Sequence, residues 1–314
     1  MSQYVIRRVV ATIPVALIVG IVAFFLVHLT PGDPAQFFLD PDAPPEEVER
    51  VRERLGLDQP IHVQFISWFG GVLQGDLGTS LHHRRPVFEM FARAFPASAY
   101  LTVTALFLAI VIAIPLGILS AIKQNTWIDR FATTFVLIGM AMPNFWFGIL
   151  LILLFSVTLG WLPVQGFVRP TEDFVASLRH LILPSIALGY SGAALIARMT
   201  RSSMLEVLRQ DYVRTARSKG IRENTINYKH ALANAFNPIL TVLGLTVVAL
   251  ISGNLVVELV FNYPGVGRLV IDSVFRRDYP VIQGSLLLIA AITIIVNLMV
   301  DLLYAVTDPR IRYD

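Results

Sequence analysis

The chain has no cysteine, which excludes disulfide staples, thiolate chemistry and cysteine-based metal sites. Charge is scarce as well: Asp, Glu, Lys and Arg make up 15% of the 314 residues, against about 25% in a soluble domain. The phosphate-cradling G-x-x-x-x-G-K-[ST], the zinc-protease H-E-x-x-H and the hydrolase G-x-S-x-G are all missing, so no nucleotide, metalloprotease or serine-hydrolase site is readable. No catalytic pair suited to an intramembrane enzyme replaces them. The apolar segments also lack the series of carboxylates that a proton relay needs. That argues against an ion-driven carrier, although carriers also use backbone carbonyls and half-helices.

What is present is mostly apolar: 55% of the residues are hydrophobic and the mean hydropathy is +0.66. Six segments are free of charged residues, 9–29, 99–122, 131–163, 181–197, 230–257 and 281–300. Each reaches or approaches the ~20 residues that cross a hydrocarbon core of about 30 Å. The expectation is an all-α polytopic membrane protein of six spans; a barrel of alternating strands would not give such unbroken runs. Segment 131–163 counts once, with Met142-Pro143-Asn144 in its middle marking either a simple kink or a bend in a substrate path. Ile6-Arg7-Arg8 resembles the start of a signal peptide. The apolar run after it exceeds a normal h-region and no A-x-A site follows, so an uncleaved first span is expected.

The net charge of +3 follows from cytosolic loops without invoking nucleic acid. With the amino terminus inside, the inner loops and tails hold fourteen Lys and Arg residues and the short outer loops five, so both termini are expected in the cytosol. Residues 30–97 then form an external cap. In it, PPEEVERVRERLG has Pro45 at a helix start, Glu46 and Glu47 in the first turn and Gly56 at the end, with Val48, Val51 and Leu55 on one face. FISWFGGVL (65–73) is too short to cross and is expected at the interface or packed on the spans. The cap is structural, or it docks a partner or gates a path. His82-His83 belongs to a solvated loop or a metal contact.

Within the spans, Gly189, Ala193 and Ala197 form a small-residue stripe that permits close helix approach. Asp301 lies near the cytosolic end of the last span, where a basic loop residue would pair with it. Asn254 and Glu258, near the outer end of the fifth span, either cap that helix or line a passage. Together with Met140 and Asn144 they are the candidate substrate-path residues.

DYVRTARSKG (211–220) is a basic stretch in an apolar chain. Asp211 suits an N-cap, residues 212–219 give about two helical turns, and Gly220 suits a left-handed stop. Tyr212, Ala216 and Lys219 share one side with Thr215 close by, while Arg214 and Arg217 project on another. A further helical pattern, ENTINYKHALANAF, ends at Asn237-Pro238, where the fifth span begins.

Arg214, Thr215, Ala216 and Gly220 spell R-T-A-x-x-x-G, which resembles the E-A-A-x-x-x-G loop of bacterial ABC import permeases, with Leu232 at the later leucine. His230 and Ala233 replace the usual isoleucine and proline, as in the peptide-permease variant of that loop. The resemblance continues through HLTPGDPA (28–35), LGLDQP (55–60), GDLGTS (75–80), MTRSSMLEVL (199–208), HALANA (230–235), FNYPGVGRL (261–269), RRDYPVIQG (276–284) and VDLLYAVTDPRIR (300–312). The chain looks like the first permease subunit of the dipeptide/oligopeptide/nickel class of ABC importers.

That resemblance implies a type I importer permease of the bacterial inner membrane. Its parts would be a first helix and cytosolic start (1–29), a periplasmic cap (30–97), a five-helix core (98–306) with a coupling loop (200–235), and a cytosolic tail (307–314). It implies a homologous second permease, two cytosolic ATPases that bind ATP and Mg, and a periplasmic or lipid-anchored solute-binding protein, with no cofactor held by this chain. Asp211 to Gly220 would be the coupling helix: Tyr212, Thr215 and Ala216 in an ATPase groove, Arg214 and Arg217 paired with its acidic groups. The cargo would be short peptides, or glutathione or nickel chelates on the same architecture. An autonomous carrier is the alternative of another class.

Overall fold

The computed structural model describes residues 2–28, 35, 44–54 and 56–307, with the backbone alone at 2–9, 54, 252 and 303–307. The tail 308–314, most of HLTPGDPA and the side chains of Arg7, Arg8 and Leu55 lie outside the described residues. The chain forms α1 (Ser2–His28), α2 (Pro45–Arg54), α3 (Ile61–Leu73), α4 (Val87–Ile122), α5 (Trp127–Ala141), α6 (Asn144–Leu151), α7 (Phe174–Leu208), α8 (Asp211–Ser218), α9 (Glu223–Thr225), α10 (Leu232–Val260), α11 (Val266–Phe275) and α12 (Tyr279–Thr307). Wider π turns follow α6 at Ile152–Thr158 and precede α10 at Ile226–Ala231. Among the described residues, five helices are long and apolar enough to cross a membrane, and α5 with α6 makes a sixth if counted as one broken span.

At that break the two helices diverge by 111°. Pro143 has no N–H to continue α5, and it sits in extended backbone as the cap of α6. The expectation of a simple kink gives way to a turn between two half-helices. α6 is held there by close packing: a Cβ at Gly148 would lie 2.9 Å from the Phe261 ring and 3.4 Å from Ala187. The fifth span also differs from expectation, because α10 runs unbroken through Pro238. Proline removes one backbone hydrogen bond, and the turns on either side keep the helix continuous.

The chain divides into two compact units, Met1–Pro96 with Gly265–Leu298, and Ala97–Pro264 with Met299–Asp314. In the first, α2 starts at Pro45 and Gly56 follows its end at φ 66°, as the sequence signals. α3 packs on α1, as one of the two expectations for FISWFGGVL has it. Phe24 meets Phe65 edge-on with ring centroids 5.4 Å apart, and a Cβ at Gly20 would press on Phe69 at 2.9 Å. GDLGTS and RRDYPVIQG meet: Ser80 donates from Oγ to Asp278 at 2.5 Å, Leu81 N–H donates to the other carboxylate oxygen at 3.2 Å, and Leu77 lies against Gly284. His82 Nε2 donates to the Arg276 carbonyl at 2.7 Å, which ties the His-His loop down.

The second unit is built around α7, whose N-cap Asp173 accepts from Ala176 N–H at 2.9 Å. The small-residue stripe acts as expected. At Gly189 an added Cβ would lie 2.6 Å from the Ala105 carbonyl oxygen of α4, and Ala193 and Ala197 are buried. Leu101, Leu181, Leu188, Leu250 and Tyr263 fill the surrounding core.

Candidate functional site

Asp211–Ser218 forms a two-turn helix between α7 and α9, and Gly220 closes it at φ 74°. The boundary falls one residue earlier than expected. Gln210 is the N-cap, in extended backbone, and Asp211 occupies the first turn, where its charge favours the helix N-terminus without capping it. Val213 is the single buried residue of α8 and pins it to the rest of the unit. Tyr212, Arg214, Thr215 and Arg217 are exposed, Ala216 is half-buried, and a Cβ at Gly220 would meet nothing within 4 Å. Arg214 lies 3.5 Å from the Asp211 carboxylate, and Arg217 donates from Nε to Glu223 at 2.8 Å. Both guanidinium groups thus have acidic neighbours on their own chain. Exposed pairs of this kind are worth little in water.

A cavity of about 310 Å³ opens among α5, α6, α7 and α10, lined by Met140, Asn144, Ser191, Gly192, Leu245 and Thr246 among others. Met140 and Asn144 flank the broken span, so the break brings both candidates to one space. Among the described residues, none of those lining the cavity carries a charge. Asn254 and Glu258 are not in its wall. Glu258 is fully buried and accepts from Ser98 Oγ at 2.5 Å, while Asn254 Nδ2 donates to Thr102 Oγ1 at 2.7 Å and to the Ser98 carbonyl at 3.3 Å. One turn apart on α10, they face residues one turn apart on α4 and join the two helices. Both side chains bond to the neighbouring helix, and the Asn254 Oδ1 is buried without a hydrogen-bond partner among the described residues.

Two features were not singled out from the sequence. Val213 could have been found as the one large aliphatic residue of α8. Asp129, which accepts from Ser120, Asn125 N–H and Arg201, is the other; its partner on α7 is 72 residues away, beyond any local pattern.

Residues 113–313 match the family described as the binding-protein-dependent transport system inner membrane component, and residues 1–102 match its N-terminal counterpart. The chain belongs to this family. It is a permease of the ABC importers, of their peptide and nickel class. The permease is 47% identical over 313 residues to the glutathione transport system permease protein GsiC of Salmonella paratyphi A and 45% identical to that of Escherichia coli K12, with both chains covered in full. It shares a fold with a chain of the inward-facing MetNI methionine ABC transporter at a TM-score of 0.59 and 18% identity, covering 70% of this chain and 97% of that one. The apolar helices of the permease accord with a multi-pass protein of the inner membrane.

Proposed function

We propose that the permease moves short peptides inward, with glutathione, itself a tripeptide, as the first substrate to test. It works beside a homologous second permease, two cytosolic ATPases that bind ATP and Mg, and a periplasmic or lipid-anchored solute-binding protein. Both termini face the cytosol, and Asp211 to Gly220 is the coupling helix. The substrate reading rests on the 45–47% identity, end to end, to the GsiC permeases. The uncharged cavity supports a path that passes a short peptide without holding it, which leaves selection to the binding protein. The coupling reading is supported by α8 being a short, exposed helix tied at both ends to long ones. A closing movement of a partner seated on it would bias a bundle with two states, open inward or outward.

The complete transporter, expressed in cells without their own glutathione uptake, is expected to accumulate radiolabelled glutathione only when its ATPases are present. Accumulation of a dipeptide or a nickel chelate instead would overturn the substrate and leave the permease reading in place. Solute movement into vesicles holding this chain alone would overturn the ATPase-coupled scheme.

A further inference from the structure

We propose that the ion pair between Asp129 and Arg201 is the strut that carries movement of α8 into the cavity wall, the two acting as positioning residues in transport; this rests on reading Asp211 to Gly220 as the coupling helix. Asp129 stands in the first turn of α5 and is 5% exposed. One carboxylate oxygen accepts from Arg201 Nε at 2.7 Å and Ser120 Oγ at 2.6 Å. The other accepts from a second guanidinium nitrogen of Arg201 at 2.9 Å and from Asn125 N–H at 2.9 Å. Four charge-assisted bonds therefore gather the end of α4, the turn at Asn125 and the start of α5 onto α7. A bidentate guanidinium fixes orientation as well as distance, which a lysine ammonium does not.

The position of the pair gives it leverage. Arg201 lies ten residues before Asp211 and Asp129 eleven before Met140, so at ~1.5 Å per residue the pair stands about 15 Å from α8 along α7 and its short link, and about 17 Å from Met140 along α5. α5 stays on α7 beyond the pair. The Tyr190 hydroxyl donates to the Phe135 carbonyl at 3.1 Å, and a Cβ at Gly139 would lie 2.8 Å from that of Ala194. α7 continues into α8 through Arg209 and Gln210 alone. A displacement of α8 thus enters α7 directly, and the pair keeps α5 from slipping before the displacement reaches Met140 and Asn144.

The test is solute taken up per ATP hydrolysed, in the reconstituted complete transporter, using whichever of glutathione and alanyl-alanine the wild type transports. Arg201→Lys and Asp129→Asn are compared with Ala216→Asp and the wild type. Both pair variants are expected to copurify with the ATPases and to hydrolyse ATP as the wild type does, while uptake per ATP falls about tenfold or more, the size expected when one charge-assisted, oriented contact is lost. A ratio within about twofold of wild type overturns the strut, since a lost contact of that strength moves an equilibrium further than this. Failure of both variants to assemble makes the pair a folding element and overturns it too. An unchanged ratio in Ala216→Asp overturns the coupling reading and the strut with it, whereas a lowered ratio there beside wild-type ratios in the pair variants overturns the strut alone.

Discussion

A single aspartate at position 220 or 216 is expected to stop ATP-dependent uptake while the chain still inserts in the membrane. Gly220 holds φ 74° and faces open space, so within this chain an aspartate there meets only the cost of left-handed backbone, on the order of 1–2 kcal/mol and least for Asp and Asn among side-chain-bearing residues. The spans do not depend on that position. A partner groove closing over α8 would instead have to take the new carboxylate out of water. A penalty of about 3 kcal/mol is modest for such burial and lowers docking roughly a hundredfold. Ala216, half-buried beside Val213, presents the same obstacle from the helix face. Membrane immunoblots, copurification of the ATPases and uptake measured on one preparation check the expectation. Wild-type uptake in both variants would refute the coupling assignment.

Gly189→Leu is expected to prevent a folded permease from accumulating at all. The Cβ alone would stand 2.6 Å from the Ala105 carbonyl oxygen and 3.5 Å from its Cα. The obstructing atoms are backbone of a long helix and cannot rotate aside. α4 and α7 would have to separate along the Leu101, Ala105 and Leu188 contact. Overpacking of this kind typically costs about 1–3 kcal/mol for small additions, and a leucine adds three more carbons. Gly189→Ala is the graded form, with an expected fall in the unfolding midpoint of about 5–10 °C. Gly70→Ala is the control: nothing lies within 4 Å of its added methyl, and alanine in a helix gains up to about 1 kcal/mol over glycine. Equal midpoints for the two alanine variants would show that the close approach at Gly189 carries no weight.

The sequence disclosed features whose causes are local. Pro45 and Gly56 bracket α2 because each acts through its own φ, and the charge-free runs reappear as long helices because length and apolarity are properties of the segment itself. It was less informative wherever a partner from elsewhere in the chain decides. Pro143 announces a break, but the 111° between α5 and α6 comes from Gly148 fitting against Phe261 and Ala187. Asn254 and Glu258 read as helix-end residues because Ser98 and Thr102, which occupy them, are more than 150 residues away. Pro238 looked like a terminus because proline lacks the backbone donor, but α10 continues past that one lost bond. At α8 the nature of the helix was readable and its start off by one, since Gln210 and Asp211 are both polar and only backbone geometry tells cap from first turn.

The π turn at Ile226–Ala231 gives the junction between α9 and α10 a spare residue, because such a turn is an α turn with one amino acid looped into it. Loss of one residue there would let the backbone relax to ordinary α geometry with every side chain of α10 still facing its present neighbour. The same loss inside α7 would spin everything beyond it by about 100°. The segment that follows α8 is thus a length buffer of one residue between α9 and α10.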